Sequence, residues 1–217
     1  MKETQFTATL TPAIEVATAR SLAHPFIVGL SDGTLPLATF RYYLRQDHQY
    51  LEMFGRLHEV LAAQLNTALA QILTSLGEGE DLARQRLHAE LKLSAVELAA
   101  TKPAPTNYAY QTHMAYQNQA HGKAALAAGL LPCYWLYNEV GRRLAQKHSP
   151  NPLYQEFFDS YASDDFSSST NQMRAIVDEL AAPLDEAAHE QMRQAFVKSC
   201  YYEEQFWQMA YEQQRWH

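Results

Sequence analysis

The sequence predicts an all-α protein, a multi-helix bundle. Three observations predict it. Apolar residues recur at a 3.6-residue period, whereas no alternating strand pattern occurs. Only 8 Gly and 9 Pro fall in 217 residues, which suits long helices joined by few turns. Hydrophobic residues reach 47% and charged residues 19%, enough apolar surface to bury a large core without disulfides.

The elements follow in order. Thr11-Pro12 reads as an N-cap with Pro in the first helical turn, and His24-Pro25 breaks that helix. Ser31-Asp32-Gly33-Thr34 is a turn cluster. A long helix then runs from residue 37 into the early sixties. Its apolar stripe is Phe40, Tyr43, Leu44, Tyr50, Leu51, Phe54, Leu57 and Leu61. A further helix is expected to stop near Gly77 and Gly79, and another covers roughly 81–100. Residues 102–106 form a loop. The next helix is expected over about 107–128, ended by Gly129, with Pro132 opening or kinking a following one that reaches about residue 148. Ser149-Pro150-Asn151-Pro152 is a second loop. Helices near 153–162, 166–180 and 183–211 complete the chain. No repeat, low-complexity tract or composition shift appears, so residues 1–217 read as one domain.

Several function classes are disfavoured. The formal net charge is -7, which offers no cationic surplus for a phosphate backbone. Cys133 and Cys200 are too few for a disulfide framework, a structural zinc site or an iron–sulfur cluster, so a reducing cytoplasm is the simplest compartment. The first 22 residues lack a signal peptide's apolar core, and no run of about 18 apolar residues suggests a membrane span. One Glu-x-x-His pair, Glu186 to His189, lies in a polar stretch, and a second pair of the kind di-iron bundles need is missing. His24, His48 and His113 are nominal haem ligands, with nothing to single one out. No phosphate loop or dinucleotide fingerprint occurs.

In such a bundle, chemistry resides where polar groups sit on core faces, because burying them is costly without partners. Asp47 lies inside the stripe of the long helix and must face a structural partner or a ligand. Cys133 follows Pro132. If Pro132 begins a helix, unpaired N–H groups favour a nucleophilic thiolate there; if it kinks a continuous helix, it still frees a carbonyl. A small buried apolar cysteine is the plain alternative. Tyr137 is four residues on and shares its face. Glu203 shares a face with Phe196, Cys200, Trp207 and Ala210; apolar surroundings would raise its pKa, as an acid/base requires, whereas Glu204 points to solvent. A satisfied structural acid is the alternative for Glu203. Cys200 is mid-helix and a weaker nucleophile. Tyr110, His113, Met114, Gln117 and His121 form a face too polar for plain core, suited to a wet cavity or a subunit interface, and Tyr161 is a similar amphipathic candidate.

Five collinear segments carry a resemblance: HPFIVGLSDGTLPLATFRYYLRQDHQYL at 24–51, NYAYQTHMAYQNQAHG at 107–122, LLPCYWLYNEVG at 130–141, FFDSYASDDF at 157–166 and YYEEQFWQMAY at 201–211. Over nearly its whole length the chain resembles the TenA family, or thiaminase II. The resemblance implies a heme oxygenase-like all-α bundle, usually a homotetramer, working without metal or haem. It implies cleavage of the C–N bond on the methylene arm of 4-amino-2-methylpyrimidines. The substrates are 4-amino-5-aminomethyl-2-methylpyrimidine, giving the hydroxymethylpyrimidine and ammonia, and thiamine, in a salvage role. By the same resemblance Cys133 is the nucleophile and Glu203 the acid/base. Asp47 holds the pyrimidine amidine edge, Tyr50, Tyr110, Tyr137 and Tyr161 line the pocket, and Phe206 forms a wall. His48 and Gln49 fall where the family varies. Two other classes stand beside this reading: a cofactor-linked oxidoreductase on the same bundle, and a non-catalytic pyrimidine-binding or regulatory protein.

Overall fold

A computed structural model describes residues 5–76 and 78–216, the side chains of 78–83 excepted. Among the described residues it is all helix and loop, with no strand. The α-helices are α1 (Phe6–Thr9), α2 (Thr11–Ala23), α3 (Pro25–Ser31), α4 (Leu37–Ala62), α5 (Thr67–Thr74), α6 (Glu78–Glu90), α7 (Ala95–Ala100), α8 (Pro105–Leu144), α9 (Pro152–Ala162), α10 (Asp164–Ala181) and α11 (Glu186–Glu212). A 3₁₀ turn, Ala145–Lys147, follows α8.

Side-chain caps start many of these helices. His24, Asn66, Ser94, Asn151, Ser163 and Asp185 each accept a backbone N–H of the first turn, so each boundary is set by one local hydrogen bond. Thr11 is a correction. It is already helical, and Leu10 precedes it without a side-chain cap, because α1 abuts α2 and backbone carbonyls of Thr7 and Leu10 serve the junction. The single helix expected over 81–100 is two, α6 and α7, parted by a turn in which Lys92 takes φ 54°. The expected stop near Gly77 lies outside the described residues; α5 ends at Thr74, and Gly79 belongs to α6.

The centre of the bundle is the second half of α8. Residues 125–138 are buried without interruption, as expected of a helix apolar on all sides. The expected break at Gly129 does not occur: Gly129 stays helical and faces Ser199 and Ala195 of α11. The chain breaks instead at Gly122, with φ 80° and ψ -173°. Open space surrounds its α-carbon, so backbone conformation alone explains glycine there. Pro132 therefore stands in a helix interior, where it removes an N–H and leaves the carbonyl one turn back without its helical donor.

Helices α4, α9, α10 and α11 pack around this rod. On α4 the stripe is buried from Phe40 to Leu61, except for Leu51, which is partly exposed. Gln46 sets the register between α4 and the start of α8. Its carbonyls accept from Asn107 Nδ2 at 2.8 and 3.0 Å and from Ala104 N at 2.8 Å, while its amide donates to Lys102 O. Asn107 lies one turn before Tyr110, so this knot brings Tyr110 opposite Tyr50. Helix α9 comes close to α8 at Gly141, where a β-carbon would lie 2.7 Å from Tyr161 Cβ and 2.9 Å from its carbonyl carbon. Asn138, one turn earlier, donates to Tyr161 O at 2.8 Å.

Candidate active site

Four helices bring the chemical residues together. Asp47 and Tyr50 come from α4, Tyr110 from the first half of α8, and Cys133 and Tyr137 from its second half. Tyr161 comes from α9, and Glu203 and Phe206 from α11. All are buried: Cys133 is 9% exposed, Asp47 5% and Glu203 2%.

Glu203 and Tyr110 form a buried hydrogen-bonded pair. Tyr110 Oη donates to Glu203 Oε1 at 2.7 Å across 93 residues of chain. Burial pushes the Tyr110 phenol well above its usual range, and the charges of Glu203 and Cys133 push it further, so it remains a donor at neutral pH. Tyr50 behaves alike: burial first, then Cys133, Tyr110 and Glu203, hold it protonated. Glu203 thus meets the aromatic cluster through Tyr110, and Cys133 is buried on the second half of α8. Tyr50 stacks on Tyr110 with centroids 5.0 Å apart and 30° between planes, and meets Phe206 edge-on at 5.7 Å.

A second cluster adjoins the first. Tyr137 packs on Tyr161 at 4.8 Å and on Trp207 at 5.0 Å, and its hydroxyl lies 3.2 Å from that of Tyr43. Tyr43 and Tyr137 are both raised mainly by burial, and both also feel Asp47 and Glu203. Asp47 pairs with Arg84 of α6, Oδ2 to Nε at 3.3 Å. Flat aromatic walls, a hydrogen-bonded carboxyl, a thiol and an ion-paired carboxylate suit a small planar heteroaromatic ligand.

A family model described as TENA/THI-4/PQQC matches residues 11–213. The chain belongs to the TENA/THI-4/PQQC family. This TENA/THI-4/PQQC chain is 39% identical over 202 residues to the aminopyrimidine aminohydrolase of Bacillus subtilis (strain 168), spanning 90% of this chain and 85% of that protein. Among solved structures, a TenA homologue from P. horikoshii OT3 superposes with TM-score 0.86 at 27% identity, covering 96% and 99% of the two chains. A domain with a heme oxygenase-like fold from Shewanella denitrificans OS217 superposes with TM-score 0.72 at 11% identity, covering 95% and 92%. The fold is heme oxygenase-like, as expected.

Of the two readings that Pro132 left open, the structure takes the second: the helix of Cys133 continues back to Gly122, so no terminal N–H groups stabilise a thiolate there, and Pro132 is an interior proline. Other candidates lie elsewhere. His113 contacts Ala195 O at 3.4 Å and Gln117 Nε2 at 3.3 Å, and His121 is exposed beside Tyr116. His113 alone of that face lines an open surface cavity, together with Tyr108, Tyr116, Val197 and Tyr201. His24 caps α3 and bonds Gln208, His48 faces Glu52, and Glu204 faces Arg20. Glu186 is largely exposed, 3.7 Å from His189 and paired with Arg193. Burial and then Glu203 push the Cys200 thiol far up, which leaves it inert.

Three contributors escaped sequence reasoning. Tyr43 and Trp207 read as core, although Tyr43's hydroxyl reaches Tyr137. Arg84 reads as a solvent charge on a polar helix, although it reaches Asp47.

Proposed function

We propose that this chain is an aminopyrimidine aminohydrolase, converting 4-amino-5-aminomethyl-2-methylpyrimidine and water to the 5-hydroxymethyl compound and ammonia, and also cleaving thiamine. The observation that carries the reading is the buried Tyr110–Glu203 pair against the stacked tyrosines, with Cys133 and the Asp47 carboxylate buried on the helices that supply them. The 39% identical Bacillus subtilis relative bears that enzyme's name.

The residues divide the work. Tyr50, Tyr110, Tyr137, Tyr161 and Phe206 hold the ring and exclude water. Asp47 takes the amidine edge, ring nitrogen and amino group together. Cys133 Sγ bonds to a ring carbon while its proton passes to Glu203, the ring nitrogen carrying the proton it shares with Asp47, and aromaticity ends. The electron-rich adduct expels the amine, and Glu203 gives the leaving nitrogen a proton. Glu203 then takes a proton from the water that adds to the exocyclic carbon. The thiol leaves, recovering its proton, and the ring is aromatic again. One difficult displacement becomes two easier steps.

The whole chain would act as one catalytic domain in the cytoplasm, assembled as a homotetramer. The exposed Tyr108, Tyr116, Val197 and Tyr201 on α8 and α11 supply an apolar face suited to a second copy. Light scattering at four times the chain mass is the expected result.

The decisive assay follows the hydroxymethylpyrimidine from each substrate, with Cys133→Ser as the control. Turnover by the parent and its abolition in Cys133→Ser, with pyrimidine binding kept, is expected. Binding without product from either substrate overturns the enzyme assignment in favour of a binding protein. Full activity of Cys133→Ser overturns the nucleophile.

A further inference from the structure

We propose that Arg84 is a positioning residue of this site: its guanidinium fixes Asp47 as a carboxylate, so that the proton shared between Asp47 and a bound aminopyrimidine rests on the ring nitrogen. The inference rests on the reading of Asp47 as the group that takes the amidine edge.

The geometry is specific. Arg84 Nε lies 3.3 Å from Asp47 Oδ2, and the two side chains are only 12% and 8% exposed, so the pair is largely withdrawn from solvent screening. Arg84 stands as a wall between two spaces. One, about 10 Å³, lies between Asp47, Ser160 and Tyr161 and has room for about one water molecule. The other, about 330 Å³, is lined by Phe54, His58, Thr74 and Tyr134. Several other titratable groups lie around the pair among the described residues. Tyr43 on its own helix and Tyr137 on α8 are neutral phenols, Ser160 and Tyr161 come from α9, and Glu203 on α11 acts on the same two phenols. His88, one turn beyond Arg84, is kept neutral by burial and then by the charges of His48 and Arg84. Arg84 is the cation that pairs directly with Asp47.

A carboxyl group and an aminopyrimidine pair in two ways that differ by one proton. A neutral acid donates to a neutral ring, or a carboxylate accepts from a protonated ring. Burial next to an acid favours the first; an adjacent guanidinium favours the second. The second is the useful one, because a protonated pyrimidine is more electrophilic towards Cys133. Pairing through Oδ2 also restrains the carboxylate's rotation.

The test has a spectroscopic and a kinetic arm. In Cys133→Ser, which cannot turn over, the ultraviolet spectrum of bound 4-amino-5-hydroxymethyl-2-methylpyrimidine reports ring protonation. The protonated spectrum should persist to higher pH than for the free compound. Adding Arg84→Met should lower that transition by about one to two pH units, and Arg84→Lys should restore most of it. In the otherwise native chain, Arg84→Met should lower kcat by about 10- to 100-fold and change KM by less than about fivefold. Should Arg84→Met fail to fold, Arg84→Gln carries both arms. An unchanged spectrum and kcat in the Arg84 variant, while Asp47→Asn abolishes ring protonation, overturns the Arg84 inference and leaves the Asp47 reading standing. Loss of ring protonation in neither variant overturns the Asp47 reading itself.

Discussion

Tyr110 is tied to Glu203 by a short hydrogen bond. A phenol that stays protonated and donates at 2.7 Å fixes one carboxyl oxygen and holds the group in a single rotamer. As the proposed acid/base, Glu203 would serve both the departing amine and the incoming water, so its orientation would matter in both halves of the reaction. Tyr110→Phe keeps the ring that stacks on Tyr50 at 5.0 Å and on Tyr202 at 5.2 Å. It removes a hydrogen bond to an ionisable group, a loss of about 1.5–3 kcal/mol. The expected outcome is a kcat about 10- to 100-fold lower with pyrimidine affinity nearly unchanged, read by steady-state kinetics and calorimetry. A proportional loss in affinity would instead mean that Tyr110 acts through the ring.

At the scale of elements, the site depends on how closely α9 approaches α8. Gly141 lets Tyr161 sit against the rod, and Asn138 pins Tyr161 O from one turn away and also reaches Ser167 Oγ at 2.9 Å. A methyl at Gly141 would meet backbone and Cβ atoms at 2.7–3.0 Å, neither of which can swing aside. Gly141→Ala should therefore push α9 outward, cost about 1–3 kcal/mol in stability and loosen the Tyr137–Tyr161 contact. Urea unfolding and substrate KM measure the two effects; an undiminished midpoint would show that α9 is freely displaced. The sequence shows these elements unevenly. The stripe of α4 and the acids embedded in apolar faces, Asp47 and Glu203, are legible because helical period and burial cost are local facts. Pro132 is ambiguous because proline either opens or interrupts a helix, and the choice depends on how tightly residues 125–138 are enclosed. Gly129 and Gly122 look alike as letters; only Gly122 takes a positive φ. Arg84 is illegible because its partner lies 37 positions away on another helix, and a lone arginine in a polar stretch carries no periodic signal.

At the scale of the whole molecule, buried histidines link stability to pH. His58 joins α4 to the central rod: one ring nitrogen meets Phe54 O at 2.8 Å and the other the Tyr134 hydroxyl at 2.9 Å. The neutral tautomer satisfies both, donating from Nδ1 and accepting at Nε2. Burial lowers its pKa to about 4, with the Phe54 carbonyl opposing. His88 is lowered to about 4 by burial, then by His48 and Arg84; burial also lowers His24 and His113. The sign follows from proton binding. Between the folded value and the ordinary value near 6.5, the unfolded chain holds more protons than the native one, so acid favours unfolding. The stabilisation is fully present above pH 6.5 and declines as pH falls towards 4. His58 keeps some solvent contact, so its share is roughly 2 kcal/mol, or about 5 °C in Tm for a chain of this size. Circular-dichroism melts at pH 7.5, 6, 5 and 4 should show a falling Tm, and His58→Gln, which cannot titrate, should flatten the slope. Because His58 binds Tyr134, the residue after Cys133, acid should loosen the rod beside Cys133. Activity lost on a brief exposure to pH 4.5 should then return at pH 7.5, and the His58→Gln chain should lose less of it. Equal loss in both chains would place the acid-sensitive contact elsewhere.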